Sequence, residues 1–157
     1  MKSLILFLAL AAGTLNADVV RPSPEYSWVD STGARKSSKA FLGRPVVVVV
    51  ANSPRDWAFR AQVGQLQKMY ERLAAEKIVC VAAFSQAPGV VRSNIPFVTA
   101  ADGPRLSYDL QTEKGFAIAV IGKDGNLDYS GNQVLPVQRI YDILDNSYVV
   151  QKALRRP

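Results

Sequence analysis

The chain has no histidine and a single cysteine, Cys80. Without imidazole there can be no Ser-His-Asp triad, no Cys-His nucleophile pair and no histidine metal ligand. One thiol cannot close an internal disulfide, so stability must come from the core, and a chain of roughly 140 residues is long enough to bury one. No apolar run of transmembrane length follows the N-terminal segment. No internal repeat, low-complexity tract or N-x-Ser/Thr acceptor occurs. The stretch "GFAIAVIGK" lacks the glycine spacing of a phosphate loop, and Asp102, Asp109, Asp124 and Asp128 lack the spacing of a calcium loop. No metal and no cofactor are expected.

What is present describes about one globular domain. The 157 residues are 48% apolar and 20% charged, with a net charge of +6. Basic side chains gather at Arg35, Lys36 and Lys39 and again at Lys152, Arg155 and Arg156. Such clusters are ordinarily solvated faces, and adhesion to anionic polymers is the functional alternative. Basic residues without interleaved aromatics argue only weakly for nucleic acid, and an extracytoplasmic location argues against it. The first residues, "MKSLILFLALAAGTLNA", carry Lys2, an apolar stretch from Leu4 to Ala12 and then small residues. That is the pattern of a secretory signal peptide, with cleavage expected after Ala17 and, as the alternative, after Gly13. The organisation expected is a leader over 1–17, an arm over 18–27, a domain over 28–148 and a basic tail over 149–157, with no transmembrane segment in the mature chain.

Periodicity places the elements. A short strand or hairpin turns at Ser31-Thr32-Gly33 and leads to a one-turn helix ending at Gly43. "PVVVVVA" is apolar on both faces, as a central strand covered on two sides must be. Ser53 then reads as a helix cap, with Pro54 and Asp56 at the first and third helical positions. Phe59, Val63, Leu66, Tyr70 and Leu73 recur at intervals of three and four, which predicts one helix to about Glu76. "KIVCVAAF" is a second buried strand. Residues 85–112 hold three prolines and no clean period, with a short strand near Phe97 and a helical turn over 105–108. "GFAIAVIG", a turn at Asp124-Gly125 and "NLDYSG" form a hairpin. Leu135 to Leu144 is a final helix, which the C-terminal stretch either extends or leaves frayed. Strand-helix-strand implies a right-handed parallel crossover, and the order β-α-β then β-β-α predicts an α/β fold, a mixed central sheet flanked by helices.

With these elements the chain resembles the thioredoxin-like superfamily, chiefly its secreted thiol-reductase and peroxiredoxin-like branches. The residues that carry the likeness are Asp30-Ser-Thr-Gly33, Phe41-Leu42-Gly43-Arg44-Pro45, the valine run and "AVIGKDGN". It is also similar to an uncharacterised bacterial family of small secreted domains. That likeness rests on Arg44, Pro45, Ser53, Pro54, Asp56, Arg60, Gln62 and the segment Gly122 to Gly125. The resemblance implies the fold and a bacterial periplasmic or secreted location. It carries over no catalytic residue. Where thioredoxin-like reductases place Cys-x-x-Cys, this chain has Ser53-Pro-Arg-Asp-Trp-Ala-Phe59, and where they place a cis-proline it has Phe116 after Gly115.

The expectation from these departures is a redox-inactive domain, neither a disulfide oxidoreductase nor a peroxidase, and a binding module rather than an enzyme. Cys80, mid-strand among apolar neighbours, reads as an inert core thiol. The candidate surface is the former active-site corner: Arg55, Asp56, Trp57 and Phe116. The expected partner is a protein, a peptide or an envelope component. The alternative is an enzyme of unrecognised non-thiol chemistry using Asp56 and Arg55, which would need a polar cleft holding a carboxylate of raised pKa.

Overall fold

The computed structural model describes residues 21–112 and 114–155. The expected signal peptide, its cleavage site and Arg156 lie outside the described residues.

Five strands form a mixed sheet: β3 (Val46–Ala51), β4 (Val79–Phe84), β5 (Phe97–Thr99), β6 (Phe116–Ile121) and β7 (Leu127–Gly131), in the order β5-β4-β3-β6-β7. β3 pairs parallel with β4, and β4 with β5. β6 runs antiparallel to both β3 and β7. β3, which holds the valine run, is therefore the middle strand of the sheet, and all six of its residues are buried. β-branched side chains suit a pleat packed on both sides, and each buried valine contributes about 1.5–3 kcal/mol relative to exposure.

Alternation divides the strands between two cores. Val47, Val49 and Ala51 face Phe59, Val63 and Leu66 of α1 (Trp57–Gln67), Leu73 of α2 (Tyr70–Ala75), and Ile140 and Leu144 of α4 (Val137–Asp145). Val46, Val48 and Val50 face Leu106 of α3 (Gly103–Asp109) and a cap formed by Tyr26, Trp28 and Phe41. That cap is the hairpin of β1 (Ser27–Val29) and β2 (Arg35–Ser37) with the one-turn 3-10 helix Ser38–Phe41. Trp28 stacks on Phe41 with ring centroids 4.4 Å apart.

Two helical expectations are corrected. The helix expected to reach Glu76 breaks at Lys68-Met69, where the amides of both residues bond three residues back and Met69 leaves helical geometry. Met69 is 1% exposed, so the break turns its side chain into the core. The C-terminal stretch expected to extend the last helix or fray forms a separate helix, α5 (Tyr148–Leu154), started by the Ser147 hydroxyl accepting from the Val150 amide. At the other end the arm docks: Leu127 N–H donates to the Arg21 carbonyl at 2.8 Å and Ser23 N–H to the Gly125 carbonyl at 3.0 Å.

Gln62 is the polar residue that ties the helical layer together. It is fully buried on the inward face of α1. Its Oε1 accepts from Leu135 N–H at 2.7 Å and its Nε2 donates to the Leu135 carbonyl at 3.1 Å. A buried backbone group left without its partner costs about 1–3 kcal/mol. Gln62→Leu, which keeps volume and strands both Leu135 groups, is expected to lower stability by about 2–4 kcal/mol on that basis, read as the midpoint of urea unfolding. An unchanged midpoint would remove this clamp from the account.

Candidate functional site

At the C-terminal end of β3 the chain turns through Asn52 to Asp56 and enters α1. Ser53-Pro54-Arg55-Asp56 is a turn, with the Asp56 amide donating to the Ser53 carbonyl at 3.2 Å. The helix begins only at Trp57, so Ser53 is not its cap and Asp56 stands at the cap position without bonding the first-turn amides. Its carboxylate turns back instead. Oδ2 accepts from Asn52 N–H at 3.1 Å, and Oδ1 accepts from the Ser53 hydroxyl at 2.9 Å. Ser53 Oγ in turn accepts from Arg55 N–H at 3.2 Å. Asp56 thus shapes the corner while its charge still lies beside the positive end of the α1 dipole.

Two further loops meet this turn. Gln86 and Ala87 amides donate to the Asn52 carbonyl at 3.0 and 2.9 Å, and Ser85 Oγ–H donates to Asn52 Oδ1 at 3.0 Å. Gly89 lies against the Pro54 ring, close enough that a Cβ would sit 2.7 Å from Pro54 Cγ. From the other side Gly115, at φ +72°, presses on the Asn52 amide, and a side chain there would come within 2.8 Å of Asn52 Cγ. Asn132 Nδ2 steadies that approach by donating to the Gln111 and Phe116 carbonyls, both at 3.1 Å. Asn52 and Ser85 were missed in the sequence. The only signal was that both follow the ends of adjacent parallel strands.

The four candidate residues do not form one surface. Arg55 is exposed, Asp56 is half-buried and Trp57 is 78% exposed. Phe116 is 4% exposed and belongs to the core. It pairs with Ala51 at the start of β6, in phase with Ile118 and Val120, and points under α1. Its place in the candidate surface is therefore withdrawn. Val90, 83% exposed next to Gly89 on the loop that packs on Pro54, is an exposed apolar residue near the corner that the sequence did not single out.

Cys80 sits in β4 beside Val47 and Phe97, 2% exposed. Burial pushes its thiol up to about 12. Among the described residues no group of three or more Cys, Asp or Glu is gathered as a metal site would require. No described helix is long and apolar enough to cross a membrane.

No protein-family model matches the chain, so the likeness to the uncharacterised bacterial family gains no support, and no curated protein matches. Solved structures do. The thioredoxin domain of a thiol-disulfide oxidoreductase from Bacteroides vulgatus superposes with a TM-score of 0.59 at 14% identity, over 85% of this chain and 96% of that one. The reduced 2-Cys peroxiredoxin of Plasmodium vivax gives 0.60 at 14% identity, over 86% and 97%. A peroxidoxin from Mycobacterium tuberculosis gives 0.57 at 13% identity, over 87% and 97%. These neighbours correct one expectation. The sequence reading set the chain apart from enzymes, and from disulfide oxidoreductases and peroxidases in particular, yet the structures that share its architecture are redox enzymes. At such identities the likeness speaks for the architecture alone: the chain has the thioredoxin-like fold.

Proposed function

We propose that the chain is a secreted module that binds a polypeptide segment at the corner where β3 meets α1. The observation that carries this reading is Trp57, a large apolar side chain 78% exposed at the first position of a helix whose preceding turn is fixed by Asp56, Asn52 and Ser53. Exposed tryptophan on a rigid frame is the commonest anchor of protein recognition, since it buries much area for little lost freedom. The α1 amides carry no side-chain cap, and such free N–H groups donate to the carbonyl oxygens of an approaching backbone. Val90, 83% exposed, follows Gly89 on the loop that packs on Pro54 of the same turn. Residues 1–17 support action outside the cytoplasm, because they read as a secretory leader.

The test is selection of peptides from a displayed library on the immobilised protein, followed by titration of the winners against wild type and Trp57→Ala. The expected result is saturable binding that weakens at least tenfold in the variant, as loss of an interface anchor does. Failure to enrich any sequence, or equal affinity for the variant, would overturn the reading.

A further inference from the structure

A second site is built along the β7 edge of the sheet. The β6-β7 turn, β7, α4, α5 and the docked arm enclose an open cleft of about 740 Å³. That is within the range that holds a small ligand. Four cations line it from three separate parts of the chain: Arg21 on the arm, Arg139 on α4, and Lys152 and Arg155 at α5. None of the four makes an ion pair among the described residues. The other basic cluster differs: Lys36 faces Asp30 at 3.8 Å and Lys39 faces Glu25 at 3.3 Å. Two of the carboxylates at the cleft have local partners. Asp124 accepts from Asn126 N–H at 3.1 Å and Asp142 from Gln138 Nε2 at 3.3 Å.

Asp128 bonds the Tyr148 amide, but its Oδ2 is buried with no hydrogen-bond partner among the described residues. It lies beside Gly122, where a Cβ would come within 2.7 Å of it and 3.0 Å of Asp124 Oδ1. A buried acceptor without a donor is costly and is ordinarily satisfied by something. Burial, and after it the Asp124 charge, raises this carboxyl above its ordinary range, against the Tyr148 amide, which lowers it. Tyr148 also presents a ring 45% exposed at the rim, with Lys152 Nζ 5.9 Å from its centre.

We propose that this cleft binds an acidic saccharide, its anionic groups held by Arg139, Arg155, Lys152 and Arg21 and a sugar face set against Tyr148. An acidic saccharide supplies both complements at once. A simple anion leaves Tyr148 unused, and a neutral sugar leaves the four cations unmatched. The site lies apart from the Trp57 corner, so the two readings stand or fall separately.

The experiment is calorimetric titration of the purified protein with a heparin-derived tetrasaccharide at physiological ionic strength, beside inorganic pyrophosphate and uncharged maltotetraose. The expected result is single-site binding to the tetrasaccharide, at least tenfold tighter than to pyrophosphate, with none to maltotetraose. The pair Arg139→Gln and Arg155→Gln together should weaken it at least tenfold. Lys36→Gln with Lys39→Gln, and Trp57→Ala, should leave it unchanged, with thermal melts checking that each variant is folded. Absence of saturable binding, pyrophosphate binding as tightly as the tetrasaccharide, or equal loss in the Lys36 and Lys39 variant would each overturn the proposal.

Discussion

Gly103→Ala is expected to destabilise the protein by about 3 kcal/mol or more, the upper range of overpacking a tight contact. Gly103 opens α3 where that helix meets the end of β4. A Cβ there would stand 2.5 Å from the Phe84 carbonyl carbon and 2.8 Å from its amide nitrogen. Backbone cannot yield as a flexible side chain can, so α3 must lift from the sheet and uncover Leu106, which is 2% exposed. Helix propensity alone gives the opposite sign, because alanine is favoured over glycine by about 1 kcal/mol inside a helix. Gly64→Ala in α1 isolates that contribution: nothing lies within 4 Å of its added methyl. It should stabilise by about 0.5–1 kcal/mol. Urea unfolding of the two variants therefore moves in opposite directions. A stabilised Gly103→Ala would show that α3 does not sit on Phe84 as described.

Cys80 in the native protein is expected to react with a maleimide at least a thousandfold more slowly than a free thiol. With the thiol held at about 12, the thiolate fraction at pH 8 is about 1 in 10⁴, against roughly a quarter for an unperturbed cysteine. Only 2% of the residue is exposed, so reagent must also wait for the sheet to open. Labelling should become complete in denaturant. The same burial has a stability consequence of fixed sign. A folded pKa above the unfolded one keeps its contribution intact below pH 9 and loses it as pH rises toward 12. The slope is about 1.4 kcal/mol per pH unit. Tyr26, raised by burial from its ordinary value near 10, adds a second loss at higher pH. Cys80→Ala should remove the part that starts near 9. Fast native labelling would contradict the placement of β4.

The strands were legible because runs such as "VVVVVA" and "FAIAVI" leave no polar face, and a chain of this size can bury such runs only inside a sheet covered on both sides. The same uniformity hid the position of Phe116. With no polar residue alternating along β6, nothing in the sequence says which side chains point toward α1, and only pairing with Ala51 settles it. The start of α1 was misread because Ser-Pro-x-Asp fits a capped helix as well as a turn. Gln62 was not placed in the core by the sequence: it falls three residues after Phe59, but its partner at Leu135 is 73 residues away. The second cleft was only partly legible. Lys152 and Arg155 stand out as a basic cluster in the sequence, but Arg21, Asp128 and Arg139 join them only through the arm, β7, α4 and α5.

The most direct measurement of the account's main claim is an amide and indole NMR titration of the ¹⁵N-labelled protein with a library-selected peptide. The expected map places the largest shifts at the Trp57 indole and at amides of Ser53 to Ala58, Gln86 to Val90 and Lys114-Gly115, while Trp28, 8% exposed beneath the hairpin, stays still. An unmoved Trp57 indole, with the shifts confined to β7, α4 and α5, would contradict it.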